Sequence, residues 1–208
     1  MDALRPVQAL IPGVRGKILE VLANTEEPIT ITSLARMAGV STSQAARAVR
    51  PLDAAGMIQR RDVPPSSLIS LRRENFVSRL VMDLTTLHHD AIAAMREAAR
   101  TLSPAPASLI LFGSFARGTA IATSDLDVLA VRARTVAAGD DAWTDTLGRW
   151  TDLARAITGN SVNLIEVGQS EVRALVRRPR PLWREILRDG ITLVGNPLAG
   201  QDRGRRAG

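Results

Sequence analysis

The sequence predicts an α+β protein in which a helical N-terminal third is followed by one long helix and then by a module of short strands and helices. Three observations predict this architecture. Apolar residues recur every three or four positions before residue 56, and the same period continues over residues 74–102. Beyond that stretch, short apolar runs at 109–112 and 128–131 are typical of buried strands. The apolar fraction of 45% is sufficient for packed cores.

Composition limits the chemistry and the compartment. The 208 residues contain no cysteine, which excludes disulfides and thiolate metal sites. The chain does not open on a basic segment followed by an apolar core, and no apolar run is long enough to span a bilayer. We therefore expect a cytoplasmic protein that has no membrane partner. The net charge of +6, nearly all from arginine, permits nucleic-acid binding.

The N-terminal third contains the spacing of a helix-turn-helix. Residues 1–13 have no clear period and are expected to form an arm, and residues 14–24 form a helix with one buried face. A second periodic stretch ends at Gly39, a residue suited to a left-handed C-cap, and Ser41 is a good N-cap for a third helix that closes at Gly56. Two helices joined by a short turn containing glycine fit the helix-turn-helix motif.

The third helix and the segment after it carry the residues expected to bind DNA. Residues 57–61 and 68–72 are predicted to be strands joined by a turn at 62–67, which makes a wing. Polar side chains near the start of a recognition helix read base edges, and wing arginines contact phosphates. Pro51 lies inside the helix and predicts a kink or an early end. The predicted DNA-binding residues are Thr42, Ser43, Gln44, Arg47, Arg50, Arg60 and Arg61.

Residues 14–73 resemble winged helix-turn-helix repressors of the ArsR/MarR kind. The resemblance implies that residues 1–75 bind double-stranded DNA, and that a homodimer reads two half-sites. A winged-helix domain used only for protein contact is the alternative. The residues that carry the resemblance are Leu34-Ala35, Gly39-Val40-Ser41, Arg47, Leu52 and Ala55-Gly56-Met57-Ile58.

Residues 76–103 are predicted to form a linking helix between two domains. Its apolar stripe is long enough to accept a partner helix from a second subunit. His88 and His89 lie in it at adjacent positions, which point about 100° apart, so we expect surface or hydrogen-bonded histidines rather than metal ligands.

The densest group of functional residues follows the first predicted strand of the C-terminal module. Gly113-Ser114 ends that strand, and Asp125 and Asp127 begin the next one. Glycine allows a backbone to approach a phosphate closely, and a helix beginning at Ser114 would direct free N–H groups at an anion. Carboxylates two positions apart on a strand point the same way and suit Mg²⁺. A phosphate cradle beside a magnesium site is the equipment for phosphoryl or nucleotidyl transfer.

These motifs resemble the signature of the minimal nucleotidyltransferases of the DNA polymerase β superfamily, and residues 183–195 are similar to that family's closing segment. The resemblance implies a small mixed sheet with helices over residues 104–197, and transfer of a nucleoside monophosphate from Mg-NTP to an acceptor. It also implies Asp125 and Asp127 as the metal ligands. The residues assigned to the nucleotide are Gly113, Ser114, Arg117, Gly118 and Ser124.

One position departs from the family pattern. The family's third carboxylate, on the strand predicted at 161–167, is replaced here by Asn163, which cannot take a proton or neutralise charge. Glu166 is three positions along and points to the opposite face. We therefore group Asn163 with Asp125 and Asp127 as the candidate catalytic residues of a site with an incomplete metal shell.

Alternatives of different classes remain open. The first is a DNA-binding nucleotidyltransferase, slow or intact, whose acceptor is a protein side chain or a small molecule. The second is a transcriptional regulator whose module is a catalytically degenerate nucleotide sensor, and a weaker third is a scaffold that only contacts proteins. Related small modules pair with toxins as antitoxins, so a toxin partner is a further expectation of the resemblance.

The remaining predictions concern the end of the chain. Asp140 and Asp141 are expected to cap a helix that reaches about residue 157. The basic break at residues 177–180 either binds the triphosphate or acceptor, or is a solvated connection. A last helix is predicted over residues 181–188, and residues 198–208 are expected to be a disordered basic tail.

Overall fold

The computed structural model describes residues 1–64 and 66–198, and it confirms the α+β class. The chain divides into two compact units, one formed by Asp2 and Leu4–Leu87, the other by Met1, Ala3 and the residues from His88 onward. The tail predicted to be disordered lies outside the described residues, except for Leu198, which is buried.

The N-terminal unit is a helix-turn-helix with a small antiparallel sheet. The elements are α1 (Pro6–Leu10), α2 (Val14–Ala23), β1 (Ile29–Thr30), α3 (Ile31–Ala38), α4 (Thr42–Ala54), β2 (Ile58–Val63) and β3 (Ser66–Leu71). The strands have the order β1-β3-β2 in the sheet, and β2 and β3 form the hairpin predicted as a wing.

Local capping positions the two helices of the motif as expected. Gly39 ends α3 in the left-handed conformation. Ser41 caps α4 through a reciprocal capping box with Gln44. Pro51 neither shortens nor ends α4, which continues to Ala54. The missing N–H of Pro51 removes a single backbone hydrogen bond, and only three residues of α4 follow it.

The expected arm at residues 1–13 contains a helix instead. The carboxylate of Glu20 on α2 accepts hydrogen bonds from the backbone amides of Val7 (3.0 Å) and Gln8 (3.1 Å), which lie in the first turn of α1. Val7 is fully buried in the core of the unit. A tertiary partner therefore stabilises a segment whose own period is too short to reveal a helix.

The long helix α5 (Phe76–Arg100) contributes its first half to the N-terminal unit and the half from His88 to the C-terminal unit. Its apolar residues are not all buried, since Phe76 is 80% exposed and Leu80 is 65% exposed. Among the described residues, no helix combines the length and the apolar character required to cross a bilayer.

The C-terminal unit contains the small mixed sheet that the resemblance implied. The elements are β4 (Ser108–Phe112), α6 (Gly113–Ala116), β5 (Leu126–Arg132), α7 (Asp141–Thr158), β6 (Val162–Gly168), α8 (Val172–Arg177), α9 (Pro181–Asp189) and β7 (Ile191–Gly195). The strand order in the sheet is β6-β5-β4-β7, in which β5 and β6 are parallel and the other pairs are antiparallel.

The two faces of this sheet pack against different helices. Alternate residues of a strand point to opposite faces, so Leu109 and Leu111 pack with α7, whereas Ile110 and Phe112 pack with Trp183 of α9. The same alternation along β5 sends Val128 and Ala130 to the α7 face and Leu129 and Val131 to the α9 face. The sheet is thus covered on both sides, and its strand ends remain available for a site.

Candidate functional site

Strand register brings three of the predicted site residues to one end of the sheet. The antiparallel ladder of β4 and β5 pairs Phe112 with Asp127, so Gly113 follows directly beside that carboxylate. The parallel ladder of β5 and β6 pairs Asp127 with Asn163. Because alternate side chains of a strand point to opposite faces, Asp127 and Asn163 belong to the face of the sheet covered by α9. Glu166 belongs to the other face and accepts a hydrogen bond from Arg132 at 2.8 Å.

Gly113 lies against the carboxylate of Asp127. Its φ is +74°, a left-handed value that favours glycine, and a Cβ placed there would lie 2.3 Å from Oδ2 of Asp127. A side chain at this position would displace the carboxylate or the loop. The close approach therefore explains why glycine is required at the first position of α6, directly after β4.

Asn163 engages the other carboxylate oxygen of Asp127. Its Nδ2 donates a hydrogen bond to Oδ1 of Asp127 at 3.1 Å. The amide therefore orients the carboxylate without adding negative charge to the site. Asp125, one residue before β5, is exposed, and Asp127 is partly buried.

The α6 loop is supported from α5 by a histidine that the sequence did not single out for this role. Nε2 of His88 lies 2.6 Å from the carbonyl oxygen of Phe115, a distance at which the protonated nitrogen donates a hydrogen bond. Gly118 follows the α6 loop and has a left-handed φ of +69°. A Cβ added to Gly118 would lie 3.6 Å from the His88 ring. His88 thus positions the predicted phosphate loop. No local motif could indicate a contact between residues 27 positions apart.

Arg117 is directed toward α9. Its guanidinium pairs with Glu185 and with Asp189, the latter at 3.1 Å. The hydrogen bond to Glu185 is the main cause that raises the pKa of Arg117. The hydrogen bond from Arg188, assisted by the one from Arg117, lowers the pKa of Asp189. Arg117 therefore joins the end of the α6 loop to α9.

Ser124 shapes the turn that leads into Asp125. Its hydroxyl oxygen accepts a hydrogen bond from the amide of Ile121 at 3.0 Å, and its carbonyl accepts one from Nδ2 of Asn160 at 2.7 Å. Ser114, the second residue of α6, is partly buried. Of the residues assigned to the nucleotide, Gly113 lies against Asp127, whereas Arg117 and Ser124 have partners within the protein.

The donor set fits a magnesium ion. Asp125, Asp127 and the amide oxygen of Asn163 are hard oxygen donors, and Mg²⁺ is commonly held by one or two carboxylates together with substrate phosphates and water. Within residues 1–64 and 66–198, no cluster contains three or more His, Cys, Asp or Glu side chains that would hold a metal by themselves. The residues present would therefore hold the ion jointly with a nucleotide.

The predicted DNA-binding residues lie on exposed surfaces of the N-terminal unit. Those on α4 are all exposed, but the side chain of Gln44 is engaged in the capping box. Arg60 pairs with Asp62 at 3.1 Å, and hydrogen bonds from Ser67 and then Arg60 lower the pKa of Asp62. Arg61 is exposed on the same strand. Of the four arginines predicted to bind DNA, Arg60 has a carboxylate partner, whereas the described residues provide no ion pair within 4.0 Å for Arg47, Arg50 or Arg61.

Comparison with known families agrees with the division of the chain into an N-terminal and a C-terminal unit. The nucleotidyltransferase domain model matches residues 92–174, and the IclR helix-turn-helix domain model matches residues 16–62. The chain fuses a helix-turn-helix domain to a nucleotidyltransferase domain. Within the helix-turn-helix class, the family model that matches is of the IclR type, whereas the motifs of residues 14–73 resemble repressors of the ArsR/MarR kind.

The nucleotidyltransferase match includes Gly113, Asp127 and Asn163 and ends within α8. Among solved structures, one described as "Crystal structure of the toxin-antitoxin with AMP-PNP" is 16% identical, covers 54% of this chain and 80% of that chain, and has a TM-score of 0.36. A likeness at that level carries no weight for the fold or the activity. No curated protein sequence matches the chain.

Proposed function

We propose that the protein is a DNA-binding nucleotidyltransferase. The helix-turn-helix domain binds double-stranded DNA, and the nucleotidyltransferase domain binds Mg-NTP and transfers a nucleoside monophosphate to a hydroxyl acceptor. The observation that carries the proposal is the apposition of Gly113 and Asp127, where a Cβ would lie 2.3 Å from the carboxylate. A loop that must be free of side chains, next to a carboxylate, suits a phosphate held beside a cation.

In the proposed reaction, the acceptor oxygen attacks the α-phosphorus of the NTP. The bond from that phosphorus to the bridging oxygen of the β-phosphate breaks, pyrophosphate leaves, and the hydroxyl proton passes to water. Asp125 and Asp127 would hold Mg²⁺, which when bound neutralises phosphate charge. Gly113 and Ser114 keep the backbone close to the phosphates, and His88 holds the loop in place through its hydrogen bond to Phe115.

A second function is favoured by a different observation. Asn163 donates to Asp127 at 3.1 Å in the position where the family resemblance implies a third carboxylate. An amide in this position cannot act as a general base, the loss of which typically reduces rates by about 10²–10⁴-fold. The alternative protein is a transcriptional regulator that binds the nucleotide as a signal and transfers it slowly or not at all.

We further propose a homodimer through α5. Val77, Leu80, Leu84 and Leu87 follow the three-four spacing of a coiled-coil seam, and three of the four are exposed. A dimer would allow its two winged helices to contact two half-sites of a DNA operator. We expect this DNA-binding protein to act in the cytoplasm. A toxin partner or a protein acceptor, suggested by the resemblance to antitoxin modules, would be an additional chain. Light scattering of the wild type and of Leu80→Asp tests the homodimer, which predicts a monomer for the variant.

Calorimetry with each NTP tests the proposed nucleotide site without knowledge of the acceptor. We expect binding that requires Mg²⁺ and is lost in Asp127→Ala but retained in Asp145→Ala, which removes an exposed carboxylate from α7. No binding in any condition would contradict both the enzyme and the sensor. Binding without label transfer from an α-³²P-labelled NTP to acceptors in a cell extract would favour the sensor.

A further inference from the structure

We propose that the exposed arginines of α8, α9 and the segment between them form a docking surface for a nucleic-acid strand, and that this strand is the acceptor. The inference rests on the proposed nucleotidyltransferase function and names its substrate class.

Positive charge is concentrated in one short segment of the nucleotidyltransferase domain. Residues 173–188 contain six arginines and a single carboxylate, Glu185. In the rest of residues 76–200, twelve acidic side chains outnumber eight basic ones. The segment therefore stands out as a basic patch on an otherwise acidic module, as expected where a polyanion binds.

Most of these arginines have no counter-charge of their own. Among residues 1–64 and 66–198, ion pairs within 4.0 Å involve Arg188 of this segment but none of the other five. Those five are exposed, which keeps their guanidinium groups available for an external ligand. They are Arg173, Arg177, Arg178, Arg180 and Arg184.

The fold directs α9 so that its arginines form a line near the candidate site. Trp183 and Ile186 are buried against the sheet, while Arg180, Arg184 and Arg188 recur every four positions on the outer side, roughly one 5.4 Å turn apart. The α9 helix covers the sheet face to which Asp127 and Asn163 belong. A cavity of about 530 Å³ is lined by Arg117, Pro181, Arg184, Glu185 and Arg188.

Arg117 connects this cavity to the phosphate loop. It directly follows α6 and pairs with Glu185 and Asp189 on α9. A chain of phosphates lying along α9 would therefore end beside the loop of Gly113 and Ser114. This placement suits a strand whose terminal hydroxyl reaches the α-phosphorus of a bound NTP.

The surface fits the phosphate backbone rather than the bases. All the tryptophans and phenylalanines of this unit are buried, and the chain has no tyrosine, so the described surface of the unit offers none of these rings as a platform on which bases could stack. Contacts from arginine to phosphate are independent of sequence and weaken with salt. The acceptor should thus be bound by its backbone, and its 3′-hydroxyl would form the new bond to the α-phosphorus. Pyrophosphate departs, the proton passes to water, and the strand gains one nucleotide.

Binding of a fluorescent single-stranded 20-mer, as RNA and as DNA, to the full chain at 50–200 mM salt tests the surface. The test variant is Arg177→Gln with Arg180→Gln and Arg184→Gln. The matched control carries Arg100→Gln, Arg149→Gln and Arg155→Gln, which removes the same charge from exposed positions of α5 and α7. Thermal melts check that each variant folds. We expect the test variant to lose about tenfold or more in affinity and about 2 units of the slope of log K against log salt, whereas the control keeps both.

Three outcomes would overturn the proposal. The first is an equal loss in the control, and the second is a larger loss in a variant with Arg47→Gln, Arg50→Gln and Arg61→Gln, which would assign strand binding to the helix-turn-helix domain. Binding to phosphatidylserine vesicles but to neither oligonucleotide would also overturn it, in favour of a membrane surface.

A second measurement separates this proposal from the proposed function. The oligonucleotide is incubated with an α-³²P-labelled NTP and Mg²⁺, using the wild type and Asp127→Asn. Strand binding without extension of the 3′ end leaves the docking surface intact but contradicts its assignment to the acceptor. Label transfer to protein with no strand binding contradicts the docking surface while the nucleotidyltransferase stands.

Discussion

The predicted DNA-binding surface and the candidate nucleotide site are built in different ways. The polar residues of α4 belong to one helix, whose start is determined by a capping box and whose exposed side follows from its period. The nucleotide site joins Gly113, Asp127 and Asn163 through strand register, and its hydrogen bond spans 36 positions. Substitutions on α4 should therefore remove single contacts, whereas substitutions in the nucleotide site should change the geometry of several groups together.

Asn163→Asp should produce the largest effect. A carboxylate in register with Asp127 would restore a third acidic group, and we expect nucleotidyl transfer to increase by about 10²–10⁴-fold. Initial rates of label transfer from an α-³²P-labelled NTP measure the change. Asn163→Ala is the control, because it releases Asp127 from its hydrogen bond without adding charge. An increase in both variants would show that the release matters, and no increase in either would favour the nucleotide sensor.

Gly113→Ala should weaken Mg-NTP binding, and a misplacement of about 1 Å in a reacting group should lower the rate of nucleotidyl transfer by about 100-fold. The added methyl would lie 2.3 Å from Oδ2 of Asp127, so the loop or the carboxylate must move. Gly139→Ala is a matched control, because Gly139 has a φ of +75° but nothing within 4 Å of an added Cβ.

Both glycine variants should lose about 1–3 kcal/mol of unfolding free energy from the left-handed backbone. Only Gly113→Ala should lose nucleotide affinity, which calorimetry measures. Equal nucleotide binding by the two variants would argue against the contact between Gly113 and Asp127 as part of the site.

Arg47→Gln should weaken binding to duplex DNA by about 1–3 kcal/mol, and titration of an operator fragment isolated by selection measures the loss. Arg47 is exposed on α4, and removing it takes one contact from the surface.

Gln44→Ala tests the other role on that helix. It breaks the capping box with Ser41, so we expect a loss of about 1 kcal/mol in stability. If Gln44→Ala alone reduced DNA affinity, Gln44 rather than Arg47 would be the main reader.

Glu20 should give the smallest effect, seen only as a pH dependence of stability. Burial raises the pKa of Glu20 above its usual value of 4.5, against the hydrogen bonds from Gln8 and Val7. A raised pKa in the folded state favours the protonated form, so this stabilisation is present below pH 4.5 and is lost as pH rises through the folded pKa. The unfolding midpoint of the wild type should therefore fall relative to Glu20→Gln across that interval. A constant difference between the two proteins would contradict this assignment.

Much of the fold followed from local patterns. The caps at Gly39 and Ser41, the wing, the long helix and the strand on each side of Gly113-Ser114 all lie where their sequence spacing predicted them. Asp140 also caps α7 as expected, by accepting a hydrogen bond from the amide of Trp143. These features depend on contacts between residues close in the chain, which is why a sequence pattern can reveal them.

Other features depended on partners that are distant in the chain. α1 forms where Glu20 accepts the amides of its first turn, and the α6 loop rests on His88. Arg117 was assigned to the nucleotide, but its ion pairs join it to α9. No motif links these residues, because each contact appears only when separate elements pack together.

The sequence by itself determined the two domain types, the glycine of the predicted phosphate loop, the aspartates where β5 begins and the amide in place of a third carboxylate. Only the tertiary structure decided that this amide donates to Asp127, that no side chain fits at Gly113, and that α8 and α9, which carry exposed arginines, cover the sheet face to which Asp127 belongs. The physical reason is that residue type and spacing specify local conformation and chemistry. Strand register and helix packing specify which groups meet.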